Sequence, residues 1–212
     1  MLILALDAAL ARCSAALWRD GEVLAERMAA AGRGHAKLLA PMAQQVLSGV
    51  PDAVAVTIGP GSFTGLRAAI ALAQGLAAGA GVAVLGVTVA EALREQVGPL
   101  RGRAPWVAID NRRGRIFLDR DGDLAPVALD GLPVPGGPVV VAGDAAIAVA
   151  AWLAARGGDV RLSDARLPRA RDVAAAAARQ LAGEAPMREA QPLYVDPPEA
   201  RLPAGGLRPA PR

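Results

Sequence analysis

The segment from residue 53 to residue 87 constrains the fold more than any other part of the chain. Ala53–Ile58 and Val82–Val87 are continuous apolar runs, which are typical of strands buried on both faces of a sheet. Between them, Ser62–Ala80 has the length and composition of a long helix, and Gly59-Pro60-Gly61 separates it from the first strand. Because such strands need cover on both sides, the sequence predicts an α/β fold.

The chain opens with a pattern that predicts three antiparallel strands. Leu2–Leu6 and Cys13–Arg19 are short apolar runs. Asp20-Gly21 is a strong hairpin signal, and it leads into a third strand over Glu22–Met28. Apolar residues then recur at helical spacing over Ala36–Leu47, which predicts a helix between this meander and the next strand.

The opening pattern returns in the second half of the chain. Trp106–Asp110 is an apolar strand that ends in aspartate, Arg115–Arg120 predicts the next strand, and Asp121-Gly122 repeats the hairpin signal. This internal repeat predicts two lobes, residues 1–100 and 101–196, followed by a flexible Pro/Arg-rich tail over 197–212. The later elements predicted for the second lobe are the strand Val139–Val141 and the helices Ala145–Ala155 and Asp172–Ala182.

Composition excludes several classes of protein. Apolar residues make up 53% of the 212 residues and charged residues 20%, so a large core is available and general disorder is excluded. The formal charge of +3 is spread along the chain, so no basic arm for nucleic acid is expected. Cys13 and His35 are the only cysteine and histidine, which excludes an internal disulfide and a Cys/His zinc site. Cys13 lies in an apolar strand pattern and is predicted to be buried.

The stretch from residue 68 to residue 90 carries no charge and has to be compared with a membrane span. It is mostly alanine and glycine, and alanine is nearly neutral for membrane insertion. A helix followed by a strand explains it better, and the N-terminus lacks the basic region of a signal peptide. We therefore expect a cytoplasmic protein without a membrane segment.

The segment Gly59–Arg67 joins a buried strand to a helix and has two interpretations. Its glycines would let backbone N–H groups approach an anion at the start of the helix. Its spacing, however, is not that of a dinucleotide fingerprint, a P-loop or a nucleophile elbow. A tight turn that caps the helix is the simpler interpretation. The residues of a vestigial nucleotide or anion site would be Asp7, Gly59, Gly61, Ser62 and Asp110.

The helix predicted over Ser62–Ala80 is too apolar for an ordinary surface helix. Its only charged residue is Arg67, which lies on one narrow polar stripe with Gln74. One side can cover the sheet of its own lobe, and the other side would be bare, which indicates a protein interface. The alternative is that the second lobe covers that side. The small residues expected on the bare side are Ala73, Gly75, Ala77 and Gly79.

Several short motifs occur together in this chain, and Gly59–Arg67 is the most specific of them. With them the sequence resembles the TsaB (YeaZ) family over nearly its whole length, most closely over residues 1–95. Ala8-Ala9 departs from the hydroxyl residues usual in that family. The other matching motifs are Leu4–Asp7, Gly21-Glu22-Val23, Arg33-Gly34-His35, Gly86-Val87-Thr88, Pro192-Leu193-Tyr194 and Pro197-Pro198.

The resemblance implies two RNase H-like lobes, as in actin, Hsp70 and hexokinase, with a reduced second lobe. It also implies a non-catalytic relative of TsaD, which transfers threonylcarbamoyl to the adenosine beside the anticodon of tRNA. TsaD binds its metal through two histidines after the strand equivalent to Val82–Val87, and here Thr88–Ala92 contains no histidine. No catalytic residue, metal site or intrinsic cofactor is therefore expected.

The resemblance further implies a heterodimer with TsaD, in which two helices of each chain pack together. TsaE, an ATPase, joins that complex, TsaC supplies the activated intermediate, and contact with tRNA is indirect. Alone, the chain is expected to form a homodimer, and ATP or ADP is expected only at the complex interface. The expected interface residues are His35, Leu38, Leu39, Met42, Phe63, Leu66, Arg67, Ile70, Ala73 and Ala77.

Two rival functions stay open at this point. Asp7 and Asp110 each end a first strand, where two-lobed sugar kinases and actin-like proteins place an aspartate that organises metal and phosphate. A nucleotide-dependent ATPase or phosphotransferase is therefore the main alternative. The second rival hypothesis is a peptidase, because relatives were once grouped with glycoproteases. The sequence, however, offers no metal pair or nucleophile–base set.

Overall fold

A computed structural model describes residues 1–30, 36–98 and 100–195 of the chain. In this part the chain forms two five-stranded sheets, each accompanied by helices. The predicted strands and helices occur in the predicted order, with boundaries shifted by one or two residues, and the structure adds two strands that were not predicted, Asp123–Val127 and Val160–Leu162. His35, together with the tail predicted over 197–212, lies outside the described residues.

The first sheet contains the opening meander and the strand–helix–strand segment. Its strand order is β3-β2-β1-β4-β5, in which β1, β2 and β3 are antiparallel and β4 and β5 run parallel to β1. The predicted meander is therefore confirmed. The elements are β1 (Leu2–Asp7), β2 (Arg12–Arg19), β3 (Glu22–Ala30), α1 (Ala36–Val46), β4 (Ala53–Gly59), α2 (Phe63–Ala80), β5 (Ala83–Thr88) and α3 (Val89–Val97).

The second sheet repeats this topology. Its order is β10-β9-β6-β7-β8, so the first strand is again central, with the second and third on one side and the fourth and fifth on the other. This confirms the internal repeat and the two RNase H-like lobes. No helix lies over residues 128–138, where the first lobe has α1, so the second lobe is reduced. The elements are β6 (Ala104–Asp110), β7 (Ile116–Arg120), β8 (Asp123–Val127), β9 (Val139–Ala142), α4 (Ala146–Ala154), β10 (Val160–Leu162) and α5 (Ala170–Leu181).

The first sheet is covered on both faces, as its continuous apolar strands require. Leu4 and Leu6 of β1 point to the face on which α1 and α2 pack. Ile3 and Ala5, which alternate with them, point to the opposite face, where α5 packs. Cys13 belongs to the core under α1 and α2 and is fully buried, as predicted.

Helix α5 packs on the first sheet although it follows the strands of the second. Ala170, Ala174 and Ala177 belong to the same core cluster as Ala5. The amide of Ala170 donates a 2.9 Å hydrogen bond to the hydroxyl oxygen of Ser14, which lies 156 residues away in sequence. A lobe division at residue 100 therefore misplaces α5, because its apolar side is buried against the first sheet.

Helix α3 forms the junction between the two sheets. Val89, Ala90 and Leu93 pack in one cluster with Val107 and Ile109 of β6. The uncharged stretch of residues 68–90 is the greater part of α2 followed by β5, as predicted. Within the described residues, the helices are too short or too polar for a membrane span.

Candidate protein-interaction site

Helix α2 presents one side to the sheet of its own lobe and leaves the other exposed. Leu66, Ile70, Ala73 and Ala77 recur at helical spacing on the inner side and are at most 5% exposed. The prediction that these four residues lie at an interface is wrong, because their side chains are already enclosed by the chain's own core. Replacement of Ile70 by a charged residue would consequently disturb the core, and would test folding and not partner binding.

Beyond its first turn, the exposed side of α2 consists of small residues together with Arg67 and Gln74. Ala71, Gly75, Ala78 and Gly79 are all exposed, so the predicted bare side is confirmed for Gly75 and Gly79, whereas Ala73 and Ala77, which were also predicted there, are buried. A Cβ atom at Gly75 or Gly79 would meet no atom of the described residues within 4 Å. Packing within the described part of the chain therefore does not require these glycines.

Helix α1 lies beside α2 on the same face of the sheet and extends this exposed surface. Leu38 is 38% exposed, and Met42 is half-buried. Leu39 is fully buried in the core, so its assignment to the interface is wrong for the same reason as for Ile70. His35 precedes the described part of the helix.

A C-terminal segment, residues 186–195, crosses the edge of this surface; we call it the C-terminal strap. The amide of Gly86 donates to the carbonyl oxygen of Arg188 at 2.9 Å, and that of Leu193 donates to Ile58 at 2.8 Å. Two glycines, which have no side chain, leave room for the backbone of the strap. A Cβ at Gly86 would lie 2.3 Å from the carbonyl oxygen of Glu189, and one at Gly59 would lie 3.1 Å from that of Leu193.

The narrow polar stripe of α2 faces this strap. Gln74 Nε2 donates to the carbonyl oxygen of Ala190 at 3.0 Å. Arg67 donates to the hydroxyl oxygen of Tyr194 from Nε at 3.1 Å and from Nη2 at 2.9 Å. Both polar side chains of the stripe therefore hold the strap beside α2.

Phe63, Arg67 and Tyr194 form an exposed cluster where the strap meets the first turn of α2; we call it the aromatic–arginine cluster. The guanidinium carbon of Arg67 lies 3.7 Å from the centroid of the Phe63 ring. The Phe63 and Tyr194 ring centroids are 6.4 Å apart. Phe63 is 58% and Tyr194 55% exposed, in a chain with only six aromatic residues. Exposed aromatic and arginine side chains are the types most enriched at protein interfaces.

The turn before α2 is filled by the chain's own backbone. A Cβ at Gly61 would lie 2.2 Å from the carbonyl oxygen of Ala9, and one at Gly65 would lie 2.1 Å from that of Ala8. Ser62 N donates to the Ala9 carbonyl oxygen at 2.7 Å, and Ser62 Oγ accepts from Gly65 N at 3.3 Å. These glycines admit the β1–β2 loop, and Ser62 caps the helix, so the space expected for an anion is occupied.

Asp7 is fully buried at the end of β1. Its Oδ1 accepts a 2.7 Å hydrogen bond from the Thr57 hydroxyl and a 3.1 Å hydrogen bond from the Ala9 amide. Asp7 therefore ties β1 to β4 and fixes the loop that covers α2. That is a structural role which the chain's own groups account for.

Asp110 ends the corresponding strand of the second lobe and is exposed. Its Oδ1 accepts from the Arg112 amide at 2.8 Å, and its own amide donates to Asp144 Oδ1 at 2.9 Å. The Arg112 guanidinium lies 3.7 Å from both carboxylates. Burial raises the pKa of Asp144, and the Asp110 charge adds to the effect, whereas the Asp110 amide and Arg112 act in the opposite direction.

An open cleft of about 690 Å³ lies where α3, the β7–β8 hairpin and the strap meet. Glu91 pairs with Arg188 at 2.9 Å, and Arg94 pairs with Asp119, so both arginines of the cleft have carboxylate partners. None of the five predicted anion-site residues lines it. Across residues 1–30, 36–98 and 100–195, no three His, Cys, Asp or Glu side chains come together as a metal site.

Comparison with known proteins identifies relatives of both the sequence and the fold. Over 127 residues, 55% of this chain, the sequence is 42% identical to the tRNA threonylcarbamoyladenosine biosynthesis protein TsaB of Escherichia coli. It is 35% identical over 127 residues to the protein of the same name from Haemophilus influenzae. YeaZ from Pseudomonas aeruginosa matches 91% of this chain and 99% of its own, with a TM-score of 0.70 and 28% identity. The chain is thus similar to TsaB (YeaZ) proteins, in sequence over 55% of its length and in fold over 91% of it.

Residues 27–128 of this chain also match the family described as TsaD: tRNA N6-adenosine threonylcarbamoyltransferase. A second Pseudomonas aeruginosa structure, described as similar to peptidase YEAZ, covers 92% of this chain with a TM-score of 0.71 and 27% identity. The two-lobed α/β fold expected from the sequence is thereby confirmed. The chain spans about half the length of the curated relatives that it matches, 53% of the Escherichia coli protein.

Of the predicted interface residues, Leu38, Phe63 and Arg67 are exposed. Sequence reasoning missed Tyr194 as a site residue, although it is the only tyrosine and lies in a motif shared with the family. It also missed that Gln74 binds the strap. The unusual stripe of Arg67 and Gln74 was the available signal, because polar residues on an otherwise apolar helix need a partner.

Proposed function

We propose that this chain is a non-catalytic accessory subunit of the cytoplasmic machinery that installs threonylcarbamoyl on the adenosine beside the anticodon of tRNA. It binds a TsaD-type transferase and holds it in its active arrangement. The similarity to TsaB proteins supports the pathway, since these relatives are named for threonylcarbamoyladenosine biosynthesis. The exposed surface of α1 and α2 supports the mode of action.

The observation that carries this proposal is the exposed, small-residue side of α2. A glycine inside a helix costs about 1 kcal/mol relative to alanine, and none of the residues that the structure describes occupies the space beside Gly75. A closely packed helix of another protein would use that space, because small residues let two backbones approach each other. Leu38 of α1 and Phe63 of α2 add exposed apolar side chains on the same lobe.

The phosphotransferase alternative receives less support from the geometry. The N-terminus of α2 is covered by the Ala8-Ala9 backbone, and Asp7 is engaged by Thr57. We therefore place any ATP or ADP at the interface with the transferase and not in this chain. The peptidase alternative has no nucleophile–base set among the described residues to support it.

The family resemblance also supplies the wider assembly of this proposal. TsaE joins the complex as its ATPase, TsaC provides the activated threonylcarbamoyl donor, and tRNA is contacted mainly through the transferase. In the absence of the transferase, the same surface pairs two copies of this chain. This homodimer competes with the heterodimer.

Titration calorimetry with the TsaD-type transferase of the same organism tests the central step. The wild-type chain should bind it, whereas Gly75→Glu should abolish binding, because the new side chain fills the interface and brings an unpaired charge. The isolated Gly75→Glu chain should fold at least as well as wild type, because glutamate favours helix more than glycine. Ala148→Glu, which adds the same charge to the exposed side of α4, is the matched control and should bind normally.

Reconstituted tRNA modification provides the functional readout. Product should form with TsaC, TsaD, TsaE and this chain. It should be lost when this chain is omitted, and also when Gly75→Glu replaces the wild-type chain and the other components stay the same. If Gly75→Glu bound the transferase and supported tRNA modification normally, the exposed side of α2 would not be the binding surface. ATP turnover by the isolated chain would favour the phosphotransferase alternative.

A further inference from the structure

Arg67 is a charged residue without an acidic partner in the described residues. It is the only charged residue of α2, and no carboxylate of residues 1–30, 36–98 or 100–195 lies within ion-pair distance of it. Most other arginines near the lobe junction are paired, as Arg94 is with Asp119 and Arg188 with Glu91. The exposed charge of Arg67 therefore needs a different explanation.

The surrounding residues hold the Arg67 guanidinium in one orientation. The Phe63 ring covers one of its faces, and Nε and Nη2 both donate to the Tyr194 hydroxyl oxygen. This arrangement leaves Nη1 and the outer face of the guanidinium directed away from these partners. An arginine fixed in this way loses less side-chain entropy on binding than a free one does.

The Tyr194 hydroxyl contributes a second donor at the same place. Its oxygen accepts from Arg67, so its own proton is available for an acceptor, and no described residue supplies one. A guanidinium N–H and a phenolic O–H thus lie side by side on an exposed surface. Two adjacent donors, one of them charged, match the two oxygens of a carboxylate.

We propose that Arg67 and Tyr194 bind a carboxylate side chain of the partner protein, an aspartate or glutamate that inserts beside Phe63. This inference rests on the proposed function, since it assigns the anchor of the same interface. Two features favour a protein over a free anion. The cluster contains two of the six aromatic residues of the chain, and it adjoins the small-residue side of α2, while Tyr194 also borders the open cleft beside α3. The C-terminal strap thereby takes part in recognition, because it carries Tyr194.

Dissociation constants for the TsaD-type transferase test this assignment. Arg67→Ala should weaken binding by about 10- to 100-fold, the range of an interface anchor. Arg67→Lys should recover only a small part of this loss, because an ammonium group cannot stack and donate in the same geometry. Tyr194→Phe keeps the ring and removes only the hydroxyl, and should weaken binding by about 5- to 10-fold.

Arg156→Ala is the matched control. Arg156 is also exposed and lies 3.8 Å from the ring centroid of Trp152, but it belongs to the second lobe. Its replacement should leave the dissociation constant unchanged. Thermal unfolding of each isolated variant shows whether a change in binding follows from a change in folding.

Salt dependence separates a charged contact from simple packing. Wild-type affinity should fall as salt is raised, and Arg67→Ala should show a smaller fall, because one ion pair has been removed. An equal salt dependence of the two proteins would overturn the carboxylate assignment. Inorganic phosphate that tightens wild-type binding, but not Arg67→Ala binding, would also overturn it, since the bound group would then be a free anion.

The two proposals fail in different ways. If the wild-type chain does not bind the transferase, the proposed function is wrong. If wild type and Gly75→Glu behave as proposed but Arg67→Ala binds like wild type, only the carboxylate anchor is wrong.

Discussion

The side chain of Gln74, in the middle of α2, is hydrogen-bonded to the backbone of Ala190 in the C-terminal strap, over a distance of 3.0 Å and 116 residues of sequence. Ala190 itself is buried. The contact joins the helix that carries the interaction surface to a segment that has no regular secondary structure. The strap in turn presents Tyr194 beside Arg67.

Replacing Gln74 should loosen the strap without unfolding the protein. We expect Gln74→Ala to lower the free energy of unfolding by about 1 kcal/mol, the net value of one such hydrogen bond. Hydrogen exchange should also become faster at the amides of Gly86 and Leu193, which donate to or belong to the strap. Gln45→Ala, at an exposed site of α1, is the control. Unchanged exchange at both amides would show that other contacts hold the strap.

Two glycines of α2 should respond in opposite ways to the same substitution. Gly65→Ala should lower the free energy of unfolding by about 1–3 kcal/mol, because its Cβ would lie 2.1 Å from the Ala8 carbonyl oxygen. Gly75→Ala should raise it by about 0.5–1 kcal/mol, because that site is open and alanine favours helix. Urea unfolding of the isolated chain measures both. A destabilising Gly75→Ala would contradict the open space beside this residue.

Ser14 should be important for holding α5 on the first sheet. Its hydroxyl oxygen accepts from the Ala170 amide at a fully buried position, so Ser14→Ala leaves a buried donor without an acceptor. We expect a loss of about 1–3 kcal/mol in the free energy of unfolding. Ser14→Thr, which keeps a hydroxyl, should recover part of it unless the added methyl group crowds the core. If Ser14→Ala lowered the free energy of unfolding no more than the same replacement of an exposed serine does, this hydrogen bond would not be important for holding α5.

The fold was largely predictable because its strands carry simple signals. Ala53–Gly59 is apolar except for Thr57 and is buried throughout, and Asp20-Gly21 marks a hairpin that the structure contains. The position of α5 was not predictable in this way. Its apolar spacing predicts an amphipathic helix, but the sheet that it covers is decided by contacts with residues such as Ser14, far away in sequence.

The interaction site was predictable only in part. The composition of α2 indicates that one side is bare, and Gly75 and Gly79 lie there. Composition does not reveal which small residues face inward, however, and Ala73 and Ala77 proved to be core residues because the sheet lies on their side. Tyr194 could not be paired with Arg67 from periodicity, because the strap has no regular secondary structure.

The pH dependence of stability should report the buried carboxylate of Asp144. Burial is the main cause of its raised pKa, so the ionised form is less favourable in the folded than in the unfolded chain. Its contribution to stability is therefore fully present below the ordinary aspartate pKa of about 3.9 and is lost as pH rises through the higher folded value.

Asp144→Asn keeps an oxygen for the Asp110 amide and cannot ionise, so it should be more stable than wild type at neutral pH. This advantage should shrink in acid, whereas Asp144→Ala, which loses the acceptor, should be destabilised at both values. Urea unfolding of the three proteins at neutral and acidic pH measures the differences. An advantage of Asp144→Asn that grows in acid would mean that the charge is stabilised in the fold by Arg112.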